Sequence, residues 1–227
     1  MRDNGSADNV AGYTNIYKWQ NGTWAHKGQP LVGLTNNARS GFSVAISNDC
    51  ARVVSGAPCS DVGGQDTGRV RIYDYNVGTS NWVQDSTLDG AAHDLYGTSV
   101  ALSSDGTRLA VGAVQSAPIG DPNLSDPNGA HPGYVKVYDW TPAGWEQFGS
   151  AVTGVGSFDQ LGYKIALSHR GDRLVISNLL RDDGPGKTDS GSVRVFSLTP
   201  VSFSKHDSIN TSCIAHSGSE KSPLSHI

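Results

Sequence analysis

No apolar run in the chain approaches the ~20 residues that a membrane-spanning helix requires. No block of like charge is present either: 17 basic and 21 acidic residues are interspersed, for a net charge of −4. That absence excludes a basic nucleic-acid-binding arm and a membrane-surface helix. The first residues, MRDNGSADNVAGY, lack the apolar centre of a secretory leader, so no route to secretion is written in them. Cysteine is scarce and odd in number: Cys50, Cys59 and Cys213. Cys50 falls in a turn and Cys59 at the far end of the strand that follows. At about 3.3 Å per strand residue, the two lie well beyond the roughly 7 Å that a disulfide tolerates. The seven histidines show no paired metal-ligand spacing. A nucleophile elbow and a phosphate-cradling Gly-Lys-Ser/Thr loop are also missing.

What the chain has in quantity is turn chemistry. Its 28 glycines and 10 prolines accompany abundant Ser, Thr, Asn and Asp, a composition suited to many short strands. Three segments align: SGFSVAISNDCARVVSGAP (40–58), YGTSVALSSDGTRLAVGAV (96–114) and LGYKIALSHRGDRLVISNL (161–179). Each is followed by a second theme, TGRVRIYDY (67–75), PGYVKVYDW (132–140) and SGSVRVFSL (190–198). A further copy of that theme, AGYTNIYKW (11–19), precedes the first full unit. A third theme centres on Trp24, Trp82 and Trp145 and closes at Gly33, Gly90 and Gly154. Periodicity of this kind identifies a repeat architecture.

Within one repeat, Val100 and Leu102, then Leu109 and Val111, alternate as half-buried strands require. Asp105-Gly106 between them is a hairpin signal, because glycine accepts the positive φ of the turn. Two more strands follow, one around Val135–Tyr138 and one around Trp145–Val152. The expected fold is therefore all-β, a β-propeller-type array of four-stranded antiparallel blades, about three and a half of them. The boundaries read as a partial blade at 1–34, blades at 35–90, 91–154 and 155–200, and a Ser-rich, disordered tail at 201–227. Val201–Ile209 is a candidate for the last blade's fourth strand. An unpartnered terminal blade would expose several hundred Å² of apolar surface, on the order of 10 kcal/mol of lost burial. Further blades from a longer chain, a second subunit, or closure of a small ring would restore it.

Gly41-Phe42-Ser43-Val44-Ala45, ending in Gly56-Ala57-Pro58, resembles the FG-GAP repeat of integrin α-subunit propellers. Tyr96-Gly97 with Gly112-Ala113, and Leu161-Gly162, look like diverged copies, and the resemblance covers about residues 5–200. It implies an extracellular or membrane-tethered propeller used in adhesion or protein recognition, though the same repeat also decorates secreted enzymes. Some such repeats hold calcium between their first two strands through several carboxylates. Here those loops are SNDCAR (47–52), SSDGTR (103–108) and SHRGDR (168–173). Arg52, Arg108 and Arg173 stand near the place of the last acidic ligand. Calcium needs six to eight oxygens, so these loops read as structural turns and no cofactor is expected. Arg170-Gly171-Asp172 matches an integrin-ligand tripeptide but falls in the same turn and reads as coincidence.

The loops between second and third strands vary most in length, and variable loops at one end of a rigid scaffold are where partners bind. They carry Asp61 and Asp66; then Asp121, Asn123 and Asp126; then Asp182, Asp183 and Asp189. These eight residues are the expected recognition surface, for a protein ligand or a glycan. Asp94 and Asp159, each three residues before a repeat glycine, are expected to fix turns. Trp24, Trp82 and Trp145 are read as packing residues. The expected function is a non-enzymatic recognition propeller. A carbohydrate-binding accessory propeller of a secreted enzyme is the alternative. An intracellular WD-like or kelch-like scaffold is less consistent, because Trp-Asp strand endings and paired glycines are missing.

Overall fold

A computed structural model describes residues 11–115, 132–156, 159–181 and 190–198. Every regular element among them is a strand. The strands fall into four successive units, which follow the register of the repeats. Unit I holds β1 (Tyr13–Thr14), β2 (Tyr17–Gln20), β3 (Thr23–His26) and β4 (Leu31–Val32). Unit II holds β5 (Ser43–Ile46), β6 (Arg52–Ala57), β7 (Arg69–Asn76) and β8 (Asn81–Asp89). Unit III holds β9 (Tyr96–Leu102), β10 (Arg108–Ala113), β11 (Tyr134–Thr141), β12 (Gly144–Gln147) and β13 (Val152–Thr153). Unit IV holds β14 (Leu161–Leu167), β15 (Arg173–Asn178) and β16 (Ser192–Ser197).

Pairing is antiparallel and follows chain order, β5-β6-β7-β8 in unit II and β9-β10-β11-β12 in unit III. The fourth strand of unit III is not continuous as the sequence suggested. After the Phe148 N–H bonds the Val137 carbonyl (2.8 Å), residues 149–151 leave the ladder, so β12 and β13 pair separately with β11. Among the described residues, unit I consists of third and fourth strands, each broken once, as β1-β4 and β2-β3. Val201–Ile209, read as a possible last strand, lies outside the described residues.

The units stack as a propeller-type array, each first strand lying on the unit before it. The main core lies between units II and III, where Val54, Val70 and Ile72 meet Tyr96, Val100, Leu109 and Val111. A second core joins Ala110, Val135 and Val137 of unit III to Leu161, Leu174 and Ile176 of unit IV. A third joins Ile16 and Leu31 of unit I to Val53, Tyr73 and Trp82 of unit II.

The glycines of the repeat set the distance between units. A Cβ on Gly56 would lie 2.3 Å from the carbonyl oxygen of Gly97, and one on Gly112 would lie 2.3 Å from that of Gly162. Backbone meets backbone at these points, and no side chain fits. The same carbonyls accept hydrogen bonds from the Ser43 and Ser99 hydroxyls, at 2.7 and 2.6 Å. Farther along the strands, Gly68 and Gly133 adopt φ of 74° and 75° and bridge to Tyr96 and Leu161 of the next unit.

Candidate recognition surfaces at the two ends of the array

Because strands alternate in direction, the first-to-second turns emerge at one end of the array and the second-to-third loops at the other. Ser47, Ser103 and Ser168 each open a four-residue turn, whose last residue has a left-handed backbone: Cys50 (φ 55°), Gly106 (73°) and Gly171 (69°). The Asp49 carboxylate accepts bonds from the Ser47 hydroxyl (2.5 Å) and the Ala51 N–H (3.0 Å). The Ser47 bond leads in holding that carboxyl below its ordinary value. Asp105 repeats the arrangement with Ser103 (2.6 Å) and the Thr107 N–H (3.0 Å). Burial pulls the Asp105 carboxyl upward, but these bonds outweigh it and the net shift is downward. The carboxylates in the loops once compared with calcium loops are thus employed in closing their own turns.

Successive turns are also joined: the Asn48 N–H donates to the Ser104 carbonyl (2.8 Å), and the Ser104 N–H to that of His169 (3.0 Å). Between them lies an open cleft of about 490 Å³ lined by Asn48, Asp49, Ser104, Asp105, His169 and Arg170. Of the Arg170-Gly171-Asp172 tripeptide, Gly171 is buried and Asp172 accepts a bond from Ser168 (2.6 Å). Two of its three residues are thereby committed to the turn.

The arginines of these loops have a role that was not foreseen. Arg52 makes a bidentate pair with Asp74 (2.6 and 2.7 Å) across its own sheet, and its third nitrogen donates to the Gly106 carbonyl of the next unit (3.0 Å). Arg108 pairs likewise with Asp139 (2.5 and 2.8 Å) and donates to the Gly171 and Leu198 carbonyls (2.9 and 3.1 Å). The planar guanidinium suits this three-way role. Arg52 also stacks on Trp140 and Trp145 of unit III, 4.6 and 5.3 Å from the ring centroids. The signal was present in the sequence as the Asp of YDY and YDW, one strand away.

At the loop end, the described residues include Asp61 and Asp66 of the expected surface. Asp121, Asn123, Asp126, Asp182, Asp183 and Asp189 lie outside the described residues. Asp61 and Asp66 come together: the Asp66 N–H donates to the Asp61 carboxylate at 2.8 Å. Burial first, and the Asp61 charge second, push the Asp66 carboxyl above its ordinary value. The loop is pinned to unit III, with the Leu95 N–H donating to the Asp66 carbonyl (3.0 Å) and the His93 N–H to that of Gln65 (2.8 Å). Asp61 itself is exposed.

Behind the loop, buried Asp94 accepts bonds from the Ala91 N–H (2.7 Å), the Gln115 amide (2.8 Å) and the Tyr134 hydroxyl (2.6 Å). Burial and then the bond to Asp94 push the Tyr134 phenol far above its ordinary value. Asp159 holds the Val155 and Gly156 N–H groups in the same manner (3.1 and 2.9 Å). Both aspartates fix turns, as read from the sequence. The three tryptophans have unlike surroundings. Trp82 is buried, and its indole N–H donates to the Lys27 carbonyl (2.6 Å); Trp145 is half-buried; Trp24 is 65% exposed. They form no common platform.

Cys50 is exposed in its turn and Cys59 is buried beyond β6, and the two do not bridge. Among the described residues, no three His, Cys, Asp or Glu side chains converge as metal ligands. No helix among them is long and apolar enough to cross a membrane.

Residues 82–130 match the family model described as the FG-GAP repeat, so the chain carries that repeat. The match spans the fourth strand of unit II and the first two strands of unit III. No curated protein sequence matches the chain. Among solved structures, the chain is similar to a protein from Lactobacillus plantarum, at 12% identity over 81% of this chain and 44% of that one (TM-score 0.47). It is similar to hydrazine synthase of Kuenenia stuttgartiensis, at 16% identity over 83% and 47% (TM-score 0.46). It is also similar to the periplasmic gluconolactonase PpgL of Pseudomonas aeruginosa, at 17% identity over 86% and 68% (TM-score 0.36). The chain thus spans less than half the length of the first two. The fold assignment rests on the strand order and inter-unit packing of the chain itself.

Proposed function

We propose that this chain is a non-enzymatic propeller module of an extracellular or membrane-tethered protein, which recognises protein ligands through its second-to-third-strand loops. The observation that carries the reading is how the first of these loops is held. Its backbone is bonded to the next unit at Gln65 and Asp66, and the exposed Asp61 carboxylate, which accepts one bond from the Asp66 N–H, sits on that fixed base. A rigid base beneath variable side chains lowers the ordering cost of binding. At the opposite end, Asp49 and Asp105 each accept two bonds within their own turns and Arg52 and Arg108 tie units together, which leaves fewer groups for a ligand. A catalytic role is not supported, because the strongly shifted phenols of Tyr96 and Tyr134 are bonded inward, to Tyr138 and Asp94.

The test places a photo-crosslinking residue at Asp61 and, separately, at Asn48, and exposes the protein to cell-surface and matrix proteins. Capture from position 61 but not 48, competed away by the unlabelled chain but not by its Asp61→Ala plus Asp66→Ala variant, is the expected result. Glycan-array binding that Trp24→Ala abolishes, with no protein captured from position 61, would overturn it in favour of a sugar-binding module.

A further inference from the structure

The three contacts between units carry a cation at one repeated place. Arg71 stands across the ladder from Ser55, Lys136 from Val111 and Arg194 from Ile176, on the sheet face that meets the preceding unit. The first two cations are provided for. The Arg71 guanidinium donates to the Val32 carbonyl (2.8 Å) and the Ser40 hydroxyl (3.0 Å). Lys136 lies over the rings of Tyr96 and Tyr134, 5.9 and 5.2 Å from their centroids. Those two tyrosines flank Ala113 in one cross-strand row, and their hydroxyls donate onward to Tyr138 (2.8 Å) and Asp94 (2.6 Å).

Between units III and IV the same place is built otherwise. Where units II and III have Gly56-Ala57 and Gly112-Ala113, unit IV has Ser177-Asn178. The row of Tyr96, Ala113 and Tyr134 becomes Leu161, Asn178 and Ser192. Asn178 is 1% exposed, and neither atom of its amide meets a hydrogen-bond partner. The Ser192 hydroxyl across the ladder and Nη1 of Arg194 are buried and equally unpartnered. Side chains opposite or diagonal to one another on a strand pair start only about 5–8 Å apart, so these three border one spot. The core around it, Ala110, Val135 and Val137 of unit III with Leu161 and Ile176, is apolar. Asp159, the counterpart of Asp94, accepts from the Val155 and Gly156 N–H groups. Among the described residues Arg194 has no carboxylate partner, and its guanidinium lies 5.6 Å from the Phe196 ring centroid. A fourth strand is not where this repeat finds a counter-charge, since Thr87 stands beside Arg71 in β8.

We infer that Asn178, Ser192 and Arg194 form a buried binding site for one small monovalent anion, of the size of chloride or nitrate, held between units III and IV. An unpaired guanidinium in an apolar contact is costly, and a negative charge on Nη1 removes that cost. Nη1 of Arg194 and Nδ2 of Asn178 donate to the anion, and the Ser192 hydroxyl turns to Oδ1 of the same amide. All four unpartnered atoms are satisfied at once. A water in that place would complete the hydrogen bonds and leave the charge uncompensated. The alanine of the other units offers no donor, which is the chemical difference that sets this contact apart. The anion ties the two units where unit IV lacks the tyrosine pair of unit III.

The test follows the Tm of the full chain against chloride, and separately nitrate, at constant ionic strength. Gluconate is the balancing anion, because it is too bulky for the site. The expected result is a Tm that rises with the logarithm of either small anion, as binding to the folded state alone requires. Crystals grown in sodium bromide should show an anomalous peak between Asn178 and Arg194. Asn178→Ala, which restores the residue of the other units, and Arg194→Gln should each weaken the apparent anion affinity about tenfold or more. An anion dependence unchanged in both variants would mean an adventitious ion only. A Tm indifferent to both anions, with water alone at the site in the crystal, or Arg194 paired there with Asp182, Asp183 or Asp189, would assign the spot to solvent or to the chain itself. Each of these three outcomes overturns the inference and leaves the loop-end recognition reading untouched.

Discussion

Val44 and Val100 are the same residue at the same place in the same repeat, yet one is 54% exposed and the other 9%. Both pair with a following strand through the same register, Val44 with Ser55 and Val100 with Val111. What separates them is a neighbour: β9 lies on unit II, and among the described residues β5 has no first-and-second-strand pair beneath it. A repeat of this kind does not own its core. Each sheet supplies half of two cores, and burial is a property of the contact between units. The same holds for Trp82 and Trp24, the first covered by the Lys27–Gln29 segment of unit I and the second open to solvent.

Substitutions at paired positions would sharpen that contrast. Trp82→Ala should cost about 3–5 kcal/mol in chemical denaturation, since it empties a packed site and orphans the Lys27 carbonyl. Trp24→Ala should change stability by no more than about 0.5 kcal/mol; equal losses would show that unit I is covered in solution. Next in size, Gly112→Ala should cost about 1–3 kcal/mol, because its Cβ meets a carbonyl that cannot retreat without moving unit IV. Ser177→Gly should be close to neutral. Arg108→Ala should lower stability by about 1–2 kcal/mol, removing a half-exposed pair and two inter-unit bonds. Arg173→Ala should have no measurable effect.

The smallest effect separates the two ends of the array by pH. Asp49 titrates below its ordinary value in the folded state, so the stability it lends is complete above pH ~3.8 and is lost as pH falls through its folded value. Asp66 titrates above its ordinary value, so its charge opposes folding at neutral pH, and that opposition is relieved as pH falls through its raised value. Asp49→Asn should therefore flatten the acid limb of a stability–pH curve. Asp66→Asn should raise stability at pH 7 and leave it unchanged below the unfolded value. The same curve for both variants would break the assignment of opposite roles.

Much of this was legible in the residues themselves. Strand order, the hairpin turns and the turn-fixing role of Asp94 and Asp159 follow from local pattern and repeat register. The partition of the arginines was not, because Arg52 meets Asp74 across a strand pair and Gly106 across a unit boundary. Neither relation has a fixed spacing in the chain. The break between β12 and β13 was likewise invisible, since Trp145–Val152 has the apolar content of one continuous strand. Of the expected recognition residues, Asp61 and Asp66 are brought together, a contact that a five-residue separation in an irregular loop does not announce. The unlike exposure of three equivalent tryptophans could not be read locally either, because each depends on what lies over it.

The glycine contacts carry one further consequence. Where main chain touches main chain, the spacing of the sheets is a fixed length, indifferent to which aliphatic residues fill the space around it. The bases of the variable loops thus stay at constant separation while the loops themselves diverge, as pegs keep their places on a board whatever is hung from them.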